Sequence, residues 1–158
     1  MILPRGITGF GVPKGHSHAD PRSFHADCRQ AVAPLNGRVE DRKQVFDVGS
    51  ASFLARVLVM PGEDVAALLN KVHPWIGFCR PLEPGLWPPP EFLDPHRVAA
   101  SFVALGRYRV LSRQELDRPV DEAICAELRR VELDQLKYWS KLAGRRLRIG
   151  EVVFNIWD

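Results

Sequence analysis

The chain has 158 residues, 46% of them hydrophobic and 26% charged, with a net charge of +3 and an isoelectric point near 9.0. That is enough chain for one domain with a full core, and the usage is globular, which argues against a disordered or a membrane-embedded protein. Its longest apolar stretches, such as Phe53 to Met60, are broken by charges like Arg56 and fall far short of the roughly 20 residues a membrane-crossing helix needs.

The opening Met1-Ile2-Leu3-Pro4-Arg5-Gly6 lacks the basic-then-apolar order of a secretory signal. It reads as a cytosolic start. Cys28, Cys79 and Cys125 are widely spaced and odd in number, so reduced, buried thiols are expected in the cytoplasm. Ile2 to Val12 mixes apolar residues with Gly6, Gly9 and Gly11, the pattern of a glycine-kinked first strand.

Asp20-Pro21 is a helix start: the carboxylate can accept from free amides, and proline loses nothing in the first turn. Phe24, Cys28, Ala31, Val32 and Leu35 then form one apolar stripe, predicting a helix to about Pro34. Val39–Val48 and Ser52–Met60, separated by Gly49-Ser50, predict a hairpin whose second arm is apolar on both faces. After Pro61-Gly62, the spacing of Val65, Leu68, Leu69 and Val72 predicts a second amphipathic helix. Trp75 to Cys79 is a short strand candidate.

Residues 81–95 hold six prolines and predict an extended loop or surface arm. In 96–106, Val98, Ala100, Phe102 and Ala104 alternate as in a strand, but Asp94-Pro95 and Gly106 suit helix ends, so helix is the preferred reading. Arg107 to Leu111 predicts a strand, and Ser112 with Glu115 a capping box. Asp121 to Ala143 is helical, with Ile124, Leu128, Val131, Tyr138, Trp139 and Leu142 on the face expected to enter the core; Leu133 and Leu136 lie off it, which a break near Glu132 would explain. Gly144 ends the helix, and Glu151 to Trp157 predicts a final strand that holds the terminus inside the fold.

Metal-capable residues are densest at His16, His18, His25 and Cys28, which suit zinc chemistry, although Cys28 is also needed for the apolar stripe. A cysteine nucleophile at Cys28 would use His25 as its base. Gly6-Ile7-Thr8-Gly9-Phe10-Gly11 has neither the glycine order nor the following helix of a phosphate loop. Trp87 among prolines suits loop pinning or a binding groove. Lys137, Lys141, Arg145, Arg146 and Arg148 run without an acidic residue and could face phosphates or an acidic protein.

The segments Ile2-Leu3-Pro4-Arg5-Gly6-Ile7-Thr8-Gly9-Phe10 and Ile149-Gly150-Glu151-Val152-Val153-Phe154-Asn155-Ile156-Trp157-Asp158, taken together, resemble those of a group of small uncharacterised bacterial cytosolic proteins. Some proteins of that size and style serve as immunity partners of secreted toxins, so the resemblance implies a protein partner. It supplies no active-site residues.

The expectation is one α+β domain over 1–158, with a mainly antiparallel sheet, three to five packed helices and a proline-rich arm at 81–95. The expected function is a cytoplasmic, non-enzymatic protein-binding module without cofactor, its candidate binding residues Trp87, Arg145, Arg146 and Arg148. The alternatives are a small metal-dependent enzyme using His16, His18, His25 and Cys28, and a nucleic-acid-binding protein using 137–148. Oligomeric state is left open.

Overall fold

Local chemistry starts helix α1 (Pro21–Val32) where the sequence predicts it: Asp20 accepts from the Ser23 amide at 2.7 Å, and Pro21 stands in the first turn. The computed structural model describes residues 1–12, 19–40, 51–82 and 90–157. A 3₁₀ turn, Ala33–Leu35, follows α1 and ends at Asn36 in the left-handed region.

Strands β1 (Arg38–Val39), β2 (Phe53–Met60), β3 (Glu63–Asn70), β4 (Trp75–Cys79) and β5 (Phe92–Leu93) pair antiparallel in that order, and β6 (Arg109–Val110) joins β4 in parallel. The part of the predicted Val39–Val48 arm that is described does pair with β2, Val39 opposite Leu58; residues 41–50 lie outside the described residues. The helices that follow are α2 (His96–Ala104), α3 (Arg113–Asp117), α4 (Arg130–Ala143) and α5 (Ile149–Val153). The fold is therefore α+β, and 96–104 is helix. No described helix is long and apolar enough to cross a membrane.

Three predicted elements are corrected. Residues 63–70 form β3, in full register with β2 from Phe53↔Asn70 to Met60↔Glu63. Pro61 and Gly62 make the tight turn, Gly62 at φ +86°, which only glycine adopts readily. The helical spacing misled because β3 is covered on both faces: Ala66 and Leu68 enter one core while Val65, Ala67 and Leu69 enter the other. A strand buried on both sides loses its alternation.

The two terminal segments are the other corrections, because neither is a strand. Residues 5–11 form successive turns with Gly6, Gly9 and Gly11 at positive φ. At the other end, Glu151 accepts from the Arg148 amide at 2.7 Å and so caps the short α5 in place of the predicted strand. Side-chain amides replace sheet pairing. Asn70 donates to the carbonyls of Ile7 (2.8 Å) and Val153 (2.6 Å), and Asn155 donates to those of Thr8 (3.0 Å) and Val152 (2.8 Å). The ends do meet on the sheet, and Phe154 and Trp157 are buried there.

The sheet thus separates two cores. On one face lie α1 and α2, through Phe24, Cys28, Val32, Val98 and Phe102. On the other lie the N-terminal turns, α3, α5 and the C-terminal segment, through Leu3, Ile7, Leu116, Val152 and Phe154. Packing on this second face is tight at Gly150, where a Cβ would stand 2.2 Å from the Phe92 ring.

Candidate functional site

α4 is attached to the molecule by one edge. Its anchor is Glu132, which is fully buried and takes every hydrogen bond as an acceptor. The Gly6 amide reaches both carboxylate oxygens at 3.1 Å, the Thr8 hydroxyl reaches one at 2.8 Å and the Thr8 amide the same one at 3.4 Å. The Arg129 amide, at the helix's own start, completes the set at 3.1 Å. The glycine-rich segment, which lacks the glycine order of a phosphate loop, nevertheless gathers its amides on a carboxylate. That anion is the protein's own glutamate, and the positive φ of Gly6 helps turn the amides toward it.

Beyond Glu132, α4 buries Leu136 and part of Leu133 and Trp139. The Trp139 indole stacks on Trp157 with centroids 6.1 Å apart and rings 14° from parallel, and its Nε1 is buried with no hydrogen-bond partner among the described residues. Gly144, at φ +65°, ends the helix as predicted. The predicted helix over 121–143 starts only at Arg130, because residues 122–127 are turns.

This attachment changes part of the expected orientation of α4: Trp139 faces the core as predicted, whereas Val131, Tyr138 and Leu142 do not. Leu133 and Leu136, which fall off the main apolar stripe of the sequence, face the core beside Trp139. Val131, Tyr138 and Leu142 are the ones in solvent, 41%, 60% and 65% exposed. They are spaced i, i+7 and i+11 and so share one face. Large apolar side chains exposed singly are ordinary, but three on one helix face form an apolar ridge, interrupted between Val131 and Tyr138 by Gln135.

Beside the ridge, and displaced by one residue, Arg130, Lys137 and Lys141 repeat the same spacing, all exposed. Past that basic row lies a groove of about 620 Å³ floored by Val120, Leu136 and Leu147. Asp121 and Glu122 line it from the turn segment, Lys137 from α4 and Arg146 from the connection to α5. In comparisons with known families, curated proteins and solved structures, nothing matches this chain. The surface is read from its own chemistry.

The predicted binding arginines divide. Arg145 makes a two-pronged pair with Glu151, at 2.6 and 2.8 Å. Arg148 reaches Asp117 at 2.8 Å and the Pro90 carbonyl at 3.1 Å, and lies over the Phe92 ring. Both are engaged in holding α5, α3 and β5 together. Burial works against the charge on Glu151, but Arg145 and the Arg148 amide outweigh it and hold the carboxyl below its usual range. Of the three, Arg146 is the one that lines the groove, where it is exposed. Trp87, His16 and His18 lie outside the described residues.

Cys28 is completely enclosed in the core beneath α1. Burial pushes its thiol well above the ordinary range, with Arg56 opposing and Asp27 adding, whereas a nucleophile or metal ligand needs the thiolate. Burial likewise pushes Cys79 up to about 12 and raises Cys125. Among the described residues there is no group of three or more His, Cys, Asp or Glu that could hold a metal ion.

One polar cluster has no clear sequence signal. Asp27, buried on α1, accepts from the Tyr108 hydroxyl at 2.5 Å and from Arg107 at 2.7 Å. Burial and the Asp27 carboxylate raise the Tyr108 phenol above its ordinary range, so it stays protonated at neutral pH. The cluster ties α1 to the segment entering β6.

Proposed function

We propose that the protein is a non-enzymatic protein-binding module that docks its partner on the outer face of α4. The observation that carries this reading is that α4 has two apolar stripes. One, at Leu133, Leu136 and Trp139, meets the core; the other, at Val131, Tyr138 and Leu142, is 41%, 60% and 65% exposed, with Tyr138 resting edge-on against Trp139 and Val131 beside Gly11. A single-domain helix needs only the first, and an aromatic flanked by aliphatic residues is the usual centre of a protein interface. The resemblance to immunity partners of toxins gives the finer form of the proposal: a bacterial cytosolic protein that occludes a toxin.

Co-purification from the native source tests the reading, with the parent and a Tyr138→Ser/Leu142→Ser variant compared at matched thermal stability. A partner held by the parent and lost by the variant is the expected result. A partner held equally by both would place docking elsewhere and reject it.

A further inference from the structure

Resting on that docking reading, we infer that the partner element is an acidic amphipathic helix lying along α4. The ridge from Val131 to Leu142 covers eleven residue steps, about 16 Å at 1.5 Å per residue, which matches three turns of a second helix packed alongside. Along its whole length the ridge is bordered by Arg130, Lys137 and Lys141, while Asp134 is the one carboxylate in that row. A helix with leucine-like residues in the middle and carboxylates on one flank satisfies both strips at once.

Charge sets this occupant apart from the others. A second copy of the chain would bring three cations and a single carboxylate against the same set, so like charges would face each other. Nucleic acid would neutralise the cations but leave Val131 and Leu142 without an apolar partner. An anionic membrane would meet Asp121 and Glu122 across the groove along with the basic row. A helix can place its carboxylates against the basic row alone.

The test uses two fluorescein-labelled helical peptides of four turns, each with leucines at i, i+4, i+7 and i+11; one has glutamates on the flank, the other lysines. Binding is read by anisotropy. The expected result is at least about tenfold tighter binding of the acidic peptide, a difference of one decade in Kd, weakened by salt. Tyr138→Ser/Leu142→Ser, whose side chains are exposed in the free protein, is expected to lose this binding. Lys137→Glu/Lys141→Glu is expected to reverse the preference.

Equal binding of the two peptides, or acidic-peptide binding untouched by the ridge variant, would overturn the inference. So would failure of both peptides to bind, or tighter binding to vesicles of equal phosphatidylserine and phosphatidylcholine or to a mixed-sequence oligonucleotide. A partner that co-purifies through Tyr138 and Leu142 while the peptides fail rejects the acidic helix alone. Loss of both results rejects the docking reading as well.

Discussion

Replacing Glu132 is expected to be among the most damaging changes a single side chain can undergo here. Glu132→Ala leaves two buried amides, those of Gly6 and Thr8, and the Thr8 hydroxyl without their acceptor. The hydroxyl can rotate and the Arg129 amide, at the helix start, can meet water, so the two amides set the scale. At about 1–3 kcal/mol for each unsatisfied buried donor, the loss is roughly 2–6 kcal/mol, before any contribution from the cavity. Against a typical total of about 5–15 kcal/mol, that is a large share. Glu132→Gln keeps the volume but turns an NH₂ group toward donors, leaving at least one buried donor unsatisfied, so it is expected to cost about 2 kcal/mol and not to be neutral. Urea unfolding at neutral pH, followed by tryptophan fluorescence, measures both, because Trp139 and Trp157 stack beside the anchored helix. Hydrogen exchange at the Gly6 and Thr8 amides should accelerate in the same variants, and added formate should restore part of the loss in Glu132→Ala. A variant within about 1 kcal/mol of the parent, smaller than the low end for two orphaned amides, would refute the anchoring role.

Gly150→Ala is expected to cost about 3 kcal/mol or more, since its Cβ would stand 2.2 Å from the buried Phe92 ring; an unchanged melting temperature would show that this packing yields freely. Tyr108→Phe should cost about 1 kcal/mol by removing the hydrogen bond to Asp27. Because the folded Tyr108 phenol is held above its ordinary 10.0, its contribution is complete below that pH and is lost as pH rises toward the folded value. Stability profiles of parent and Tyr108→Phe should therefore converge in strong alkali, and parallel profiles would contradict the assignment. Disulfide-exchange titration of the native protein should find Cys28 and Cys79 silent and Cys125 slow, because burial raises all three; rapid labelling of Cys28 would contradict its enclosure.

How far the sequence could be read depended on how local each determinant is. The Asp20 cap of α1, the Ser112–Glu115 capping box of α3 and the Gly144 stop of α4 each depend on residues within one turn, and all three appear where expected. β3 was hidden because its consecutive Val65-Ala66-Ala67-Leu68-Leu69 serves two cores, and long-range pairing with β2 decided its conformation. The C-terminal β-branched run was overridden by the Glu151 cap and by Gly150 against Phe92. At α4 the periodicity was present but its direction was not. A charged residue, Glu132, enters the core because distant amides await it, and this turns Val131, Tyr138 and Leu142 outward. The only trace in the sequence is the pair Leu133 and Leu136 off the main stripe. The candidate arginines show the converse, since proximity in sequence could not reveal that Asp117 and Glu151 would engage Arg148 and Arg145.

The docking face can be tested most directly by placing a photo-reactive phenylalanine analogue at position 138 and, as a control, at exposed Ala100 on α2, across the sheet from α4. After irradiation in cells of the native source, position 138 should give one discrete protein adduct that excess unlabelled parent protein suppresses, and position 100 should give none. No adduct at position 138, or equal adducts at both positions, would contradict the assignment of α4 as the docking surface.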